Sequence, residues 1–185
     1  MADERSGTLA GWLARLRVPL GFLFGALVLW LAAPTRMTLV LGAPIAALGE
    51  ALRIWAAGHL NKSEEVTASG PFRWFAHPLY VGSSVMGAGV AVAAGSVTVA
   101  MLIAVYLATT ITGAIRHEEA FLQRKFGDRY VAYRRAAASA RRGAAGADRA
   151  FDLSRAMANR EYRAAAGLVG AMLLLVWKAT YNGVF

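Results

Sequence analysis

The chain has 185 residues, of which 57% are hydrophobic, and it carries a formal net charge of +9 at pH 7. A composition this apolar excludes an ordinary water-soluble domain and indicates a protein of the lipid bilayer. The absence of cysteine excludes disulfides, thiolate nucleophiles, and zinc or iron–sulfur sites with cysteine ligands. The 20 Lys and Arg residues cluster between long apolar runs, a pattern of membrane topology rather than of a nucleic-acid-binding surface.

Five apolar runs predict an all-α membrane protein with about five transmembrane helices. Several runs are shorter than the roughly 20 residues that a membrane helix needs, so we expect tilted helices or a locally thinned bilayer. The connections at residues 34–36 and 95–96 are short enough for tight helical hairpins. Because little sequence lies outside the runs, residues 1–185 are expected to form a single domain. The runs span about residues 18–33, 37–57, 79–95, 97–115 and 164–180.

The distribution of basic residues predicts the orientation. Nearly all Lys and Arg lie in the N-terminal segment and in two long segments, about residues 58–76 and 116–163, whereas the opposite side has only Arg36 and Lys178. Because basic loops stay in the cytoplasm, we expect the N-terminus and both long segments to be cytoplasmic and the C-terminus to be external. The first run has no small-residue cleavage site and is therefore interpreted as a retained span. This predicts a multi-pass protein of the cytoplasmic (inner) membrane.

A cytoplasmic interfacial helix is predicted over residues 116–137, directly after the fourth run. Helical periodicity places Glu118, Leu122 and Phe126 on one face, with Glu119 at its margin. Such a helix is expected to lie along the membrane or to dock on the spans. The residues that follow, 136–148, are rich in Ala, Gly and Arg, which is typical of a mobile basic connector without a chemical role.

The first candidate motif is the stretch Ser-Gly-Pro-Phe-Arg-Trp-Phe-Ala-His-Pro-Leu-Tyr-Val-Gly, residues 69–82, which leads from a loop into the third run. Pro71 and Pro78 stiffen the chain and bias the residues before them away from helix. We therefore expect His77 to lie at the mouth of a span in a fixed geometry. The alternative is that the prolines only mark the start of a helix and that His77 caps it.

The second candidate motif is the pair Glu118 and Glu119 at the cytoplasmic end of the fourth run. Two adjacent carboxylates near lipid repel each other and face desolvation, so their placement indicates a function. The alternative is that they complement the dipole of a helix that begins there and pair with Arg116 or Lys125.

Together the motifs resemble the isoprenylcysteine carboxyl methyltransferase and phospholipid methyltransferase superfamily, over about residues 53–134. The matching order is Gly-Pro-Phe-Arg, His-Pro-Leu-Tyr-Val-Gly, Glu-Glu, and Leu-x-x-x-Phe-Gly-x-x-Tyr-x-x-Tyr. In that superfamily the His-Pro-x-Tyr and Glu-Glu elements build a pocket for S-adenosylmethionine at the cytoplasmic membrane face, beside a lateral opening to lipid. One departure is Ala76, since the superfamily usually has Arg before His-Pro. The positive charge of that Arg is then supplied by Arg73 or Arg116, or the protein takes a different substrate.

The resemblance implies S-adenosylmethionine as the cofactor and two sets of site residues. The cofactor-binding candidates are Gly70, Pro71, His77, Pro78, Leu79, Tyr80, Glu118 and Glu119. The catalytic candidates are Glu118, Glu119, Arg73 and Arg53.

The remaining polar residues carry weaker indications. Glu50 and Arg53 lie on one side of the second run, so they are expected to pair, either structurally or with Arg53 near the pocket. His59 is interpreted as a loop residue without a role. Gly87 and Gly89 favour close helix packing over a dinucleotide-binding loop. Three histidines without metal-ligand spacing predict no metal site.

The sequence therefore predicts a membrane enzyme that moves a methyl group from S-adenosylmethionine to a lipophilic or membrane-embedded acceptor, either a carboxylate like that of isoprenylcysteine or a lipid amine. The expected partners are the bilayer and this acceptor, with no nucleic acid; the oligomeric state is left open. One alternative is an NADPH-dependent membrane reductase similar to sterol reductases, although the Glu pair would repel a pyrophosphate. Another is a non-catalytic membrane scaffold of the same fold.

Overall fold

The computed structural model describes residues 21–61, 67, 69–128, 131 and 150–184. In these ranges the chain is helical and contains no strand, so the all-α prediction is confirmed. Each of the five apolar runs coincides with a helix. The elements are α1 (Gly21–Leu31), α2 (Arg36–His59), a 3-10 helix (Gly70–Arg73), α3 (Pro78–Ala94), α4 (Val97–Phe126), α5 (Leu153–Ala158) and α6 (Tyr162–Tyr181).

Among the described helices, α2, α4 and α6 are long and apolar enough to cross a membrane. The helices α1 and α3 are apolar but shorter. The 17 residues of α3 rise about 26 Å, against roughly 30 Å for the hydrocarbon core of a bilayer. The structure therefore gives a membrane protein with three candidate spans, and the count of five remains a prediction.

Helix boundaries follow from the residues at their ends. The Thr35 side chain accepts a hydrogen bond from the Thr38 amide at the start of α2, and Ser96 does the same for Val99 at the start of α4. Pro78 is the first residue of α3, where its missing N–H costs nothing. Gly95 ends that helix with a φ of 63°, a left-handed conformation that favours glycine.

The tightest contact in the described fold joins α2 and α3, which run antiparallel. A Cβ on Gly49 would collide with the Met86 backbone, and one on Gly89 would collide with the Ala46 backbone. Small residues let membrane helices approach this closely, so the assignment of Gly89 to helix packing is confirmed. The small residues that face each other are Gly42, Ala46 and Gly49 on α2 and Gly82, Gly89 and Ala93 on α3.

A polar contact joins α1 to α6 at one end of the molecule. The Lys178 ammonium group donates hydrogen bonds to the carbonyls of Leu29 and Trp30, at 2.7 and 2.6 Å. These carbonyls belong to the last turn of α1, where no helical partner remains for them. The buried cluster beside this contact contains Ala32, Leu39, Ala93, Ala94, Val99, Ile103, Leu175 and Ala179.

At the opposite end, residues 150–161 form a strap over the C-terminus of α2. Asn159 donates to the carbonyls of Ala57 and Leu60, at 2.9 and 3.0 Å, and Arg155 donates to that of Gly58 at 2.6 Å. The strap thereby supplies donors to carbonyls in and just after the last turn of α2, where the regular helical hydrogen bonds end. Hydrogen bonds from Ser154 hold the pKa of the Asp152 carboxyl, the N-cap of α5, below its usual range.

The predicted separate interfacial helix is wrong at its start. Helix α4 continues without a break from Val97 to Phe126, so residues 116–126 extend the fourth span. Its 30 residues rise about 45 Å, which exceeds the thickness of the hydrocarbon core. The predicted faces are correct within this extension, since Glu118, Leu122 and Phe126 are partly buried and Arg124 is exposed. The rest of the predicted helix, apart from residues 127, 128 and 131, lies outside the described residues, as does the connector at 136–148.

The small-residue contact between α2 and α3 generates a stability prediction. We expect Gly89→Leu to lower the free energy of unfolding by at least about 2 kcal/mol, because the new side chain meets backbone that cannot move aside. The matched control is Gly167→Leu on α6, where a Cβ meets nothing within 4 Å. Thermal unfolding in detergent, followed by helicity, checks both variants. Equal melting temperatures for the two would contradict the packing described here.

Candidate active site

The Gly-Pro motif is anchored on the buried end of α2. Gly70 adopts a φ of 55° and lies against the His59 ring, and Pro71 and Phe72 are buried beside it. The Nδ1 atom of His59 lies 3.0 Å from the Trp55 carbonyl, and the His59 residue is only 5% exposed. The interpretation of His59 as a solvated loop residue is therefore wrong, because α2 extends through it and the motif folds back over its ring.

The structure brings the two candidate motifs together. His77 Nδ1 lies 3.8 Å from Glu118 Oε2, and His77 Nε2 lies 3.5 Å from Glu119 Oε1. His77 occupies the N-cap position of α3, but its side chain makes no capping hydrogen bond. The two carboxylates lie in the interior of α4, 21 and 22 residues after its first residue Val97, rather than at a helix start. The side chain of His77 thus does not cap α3, and no helix begins at the Glu pair whose dipole it could complement.

Tyr80 extends the cluster along the first turn of α3. Its ring centroid lies 5.8 Å from that of His77, and its hydroxyl faces the Glu118 carboxylate. Pro78, directly after His77, is buried and fixes the direction in which α3 begins. The His-Pro-x-Tyr spacing thus presents an imidazole and a phenol to the same carboxylate.

A pocket of about 350 Å³ opens between α3 and α4 next to this cluster. Its wall is mainly apolar, and the lining side chains that carry polar groups are His77, Tyr80, Ser84 and, through its indole N–H, Trp74. Glu118 and Glu119 follow one turn beyond the last α4 residue of the wall. The lining residues are Trp74, Phe75, Ala76, His77, Tyr80, Val81, Ser84, Ile111 and Ile115.

The remaining candidates lie around this pocket. Gly70, Pro71 and Arg73 belong to the 3-10 helix that precedes it, and Leu79 lies between Pro78 and Tyr80. Ala76, the position at which the superfamily usually has Arg, lines the pocket itself. Among the described residues, no group of three His, Asp or Glu side chains has the geometry of a metal site.

Arg53 is not among the residues that line this pocket. It donates to both carboxylate oxygens of Glu161, at 2.8 and 3.2 Å, and to the Leu79 carbonyl at 3.5 Å and the Ser83 hydroxyl. The expected pairing with Glu50 is confirmed, with Arg53 Nε 3.6 Å from Glu50 Oε2. No local pattern in the sequence distinguishes Glu161, which precedes the last apolar run as one carboxylate among several charges.

These features define an all-helical membrane protein with a polar cluster at the mouth of an apolar pocket. The chain belongs to the phospholipid methyltransferase family, whose sequence model matches residues 22–129. That family is part of the isoprenylcysteine carboxyl methyltransferase-like superfamily, so the resemblance drawn from the motifs is confirmed. The family implies methyltransferase activity, and the apolar helices agree with a membrane enzyme.

A curated protein is also similar to part of the chain. It is the nickel-cobalt-cadmium resistance protein NccN of Alcaligenes xylosoxydans xylosoxydans, 32% identical over 99 residues. The match covers 52% of this chain and 45% of that protein. No solved structure matches the chain. The family match contains all of the site residues predicted from the sequence and ends before Glu161.

The fit of Gly70 against His59 generates a prediction with a close control. Gly70→Ala and Gly183→Ala both place a Cβ at a positive φ, 55° and 70°, and so carry a similar backbone strain. Only the Cβ at residue 70 also collides with the His59 ring, whereas that at residue 183 meets nothing within 4 Å. We expect the first variant to be less stable than the second by about 1–3 kcal/mol. Denaturant unfolding in detergent measures the difference, and equal losses would show that the motif does not pack on His59.

Proposed function

We propose that this protein transfers a methyl group from S-adenosylmethionine to a lipophilic acceptor that reaches the pocket from the bilayer. The observation that carries the proposal is the approach of His77 to Glu118 and Glu119 beside the apolar pocket. Family membership supplies the reaction class, and the geometry supplies a place for a polar, cationic donor next to an apolar acceptor.

The charges of the cluster suit this cofactor. S-adenosylmethionine would supply an electrophilic methyl group on a sulfonium, and it also bears an ammonium and a carboxylate. Glu118 or Glu119 would hold the ammonium through charge-assisted hydrogen bonds, and His77 and Tyr80 would orient the remaining polar groups. The same two carboxylates would repel the pyrophosphate of NADPH, so the reductase alternative is not favoured. A non-catalytic scaffold would not need these side chains to lie together beside a pocket, so this alternative does not explain the cluster.

Positioning is the main task of the protein in such a reaction. Methyl transfer is an in-line displacement, so catalysis depends on aligning the acceptor atom with the methyl group at about 3 Å. Trp74, Phe75, Ile111 and Ile115 form apolar walls that would exclude water and receive a lipid chain. An acceptor amine must also lose a proton, and a carboxylate beside His77 is placed to accept it.

Of the two acceptor classes, the site favours a lipid amine. The side chains described as lining the pocket include no Lys or Arg, and Ala76 stands where the superfamily usually has a cation. An anionic acceptor would therefore meet two carboxylates without a partner on the pocket wall, whereas an amine would be attracted.

Binding and variant measurements test the proposal together. In calorimetry on the detergent-solubilised protein, we expect S-adenosylmethionine to bind and NADPH not to bind. Glu118→Gln and Glu119→Gln each keep size and hydrogen bonding but remove a charge, at a cost of about 1.5–3 kcal/mol, or tenfold to over a hundredfold in Kd. We expect the larger loss for Glu118→Gln, because that carboxylate faces both His77 and Tyr80.

The control for these variants is Asp152→Asn, which removes a carboxylate from the α5 cap and leaves a good N-cap residue. Its Kd should equal that of the parent. Transfer of a labelled methyl group to extracted amine lipids then tests the acceptor. Binding of NADPH without S-adenosylmethionine, or parent-like affinity in both Gln variants, would contradict the proposed function.

The orientation of the site is the second prediction of this proposal. The pocket end should be cytoplasmic, because the basic segments border it. Since the chain has no cysteine, Ala158→Cys and Asn182→Cys each introduce a single label site, at opposite ends of the molecule. An impermeant thiol reagent should modify position 182 in intact cells and position 158 only after permeabilisation. The reverse pattern would place the site on the outer face.

A further inference from the structure

Arg53 connects three parts of the chain at the base of the candidate site. It extends from α2, its Nη2 atom binds Glu161 in the turn before α6, and its Nη1 atom binds the Leu79 carbonyl and the Ser83 hydroxyl on α3. Glu161 is 8% exposed. The contact thus links a residue outside the family match to the helix turn that carries His77 and Tyr80.

The hydrogen bonds from Arg53 to α3 are not needed if the ion pair with Glu161 only stabilises the fold. A buried ion pair is costly to desolvate, and apolar residues of similar size often stabilise a protein equally well. An apolar replacement, however, would not direct hydrogen-bond donors to α3. Both oxygens of Glu161 accept from Nη2, while Nη1 contacts α3 and Nε lies beside Glu50, so each nitrogen of the planar guanidinium has its own partner.

Glu50 shows why an anchor is needed. Both of its carboxylate oxygens are buried without a hydrogen-bond partner, and one lies 3.6 Å from Arg53 Nε. Glu50 is therefore a second carboxylate within reach of the same guanidinium. With the charge of Glu161 removed, Glu50 becomes the strongest nearby partner, and Arg53 would turn away from Leu79 and Ser83.

We propose that Arg53 is a positioning residue for the methyltransferase site and that Glu161 is its anchor. Held by Glu161, the Arg53 guanidinium sets the first turn of α3 and so the placement of His77 and Tyr80 opposite Glu118. The C-terminal segment thereby contributes to the pocket without touching the cofactor. This inference rests on the proposed function, because its readout is the binding of S-adenosylmethionine.

The experiment compares Glu161→Gln with Asn159→Ala in the full-length protein. Both variants weaken the C-terminal segment, since Asn159 donates two hydrogen bonds to the end of α2, but only Glu161 contacts Arg53. We expect both to lower the melting temperature. Only Glu161→Gln should raise the Kd for S-adenosylmethionine, by about tenfold, with a matching fall in kcat/KM. Glu161→Asp, which keeps the charge, should recover part of the affinity.

A double variant tests whether the effect passes through Arg53. Ser83→Ala removes the α3 hydroxyl that Arg53 contacts and leaves the pair with Glu161 in place. If Arg53 transmits the effect, Ser83→Ala should weaken binding severalfold, and adding it to Glu161→Gln should cost less than the sum of the two single effects. Should Glu161→Gln fail to fold, the Ser83→Ala variant alone decides, since an unchanged Kd would overturn the inference.

The outcomes also separate this inference from the proposed function. A parent protein that does not bind S-adenosylmethionine refutes the function itself. A parent that binds, together with a Glu161→Gln variant of equal affinity or an Asn159→Ala variant of equally reduced affinity, refutes only the positioning role.

Discussion

Backbone contact between α2 and α3 determines where the candidate site residues lie. Because Gly49 and Gly89 leave no space for a side chain, the register of the two helices is fixed along their length. That register places Arg53 beside Leu79 and Ser83, and His59 beneath the Gly-Pro turn. The close packing of α3 on α2 therefore positions the pocket residues of α3. The contact between α3 and α4 is looser, and the pocket opens on that side.

Polar groups organise the two ends of this bundle in different ways. In lipid the hydrophobic effect does not drive helices together, so hydrogen bonds to uncapped carbonyls contribute to their arrangement. Lys178 of α6 donates to a carbonyl at the end of α1, and Asn159 of the strap donates to a carbonyl at the end of α2. The last helix is thus tied to an early helix at one end and to the candidate site at the other. This explains how a segment outside the family match can matter for the site.

Local sequence patterns predicted most of the helices of this fold. They predicted fewer of the contacts that hold the site residues in place. Apolar runs predicted the five apolar helices, α1 to α4 and α6, and the family resemblance implied that the His-Pro and Glu-Glu elements share one pocket. The continuity of α4 was missed because a change from apolar to charged residues resembles a helix boundary, although the backbone only leaves the hydrocarbon there. Glu161 was missed for another reason: its partner lies 108 residues away, and no local spacing reveals a contact at that distance.

The length of α4 explains why two carboxylates can lie directly beside an apolar pocket. Val97 and Glu118 are 21 residues apart, about 32 Å along a helix, close to the roughly 30 Å thickness of a hydrocarbon core. A bilayer that begins at Val97 would therefore end near Glu118, while Ile111 and Ile115 line the pocket one to two turns before it. In the function proposed above, a cationic, water-soluble donor would approach from the side of the carboxylates and an apolar acceptor from the side of the isoleucines. In the proposed reaction the two substrates would meet at His77, because α3 begins beside the carboxylate pair that follows the apolar part of α4.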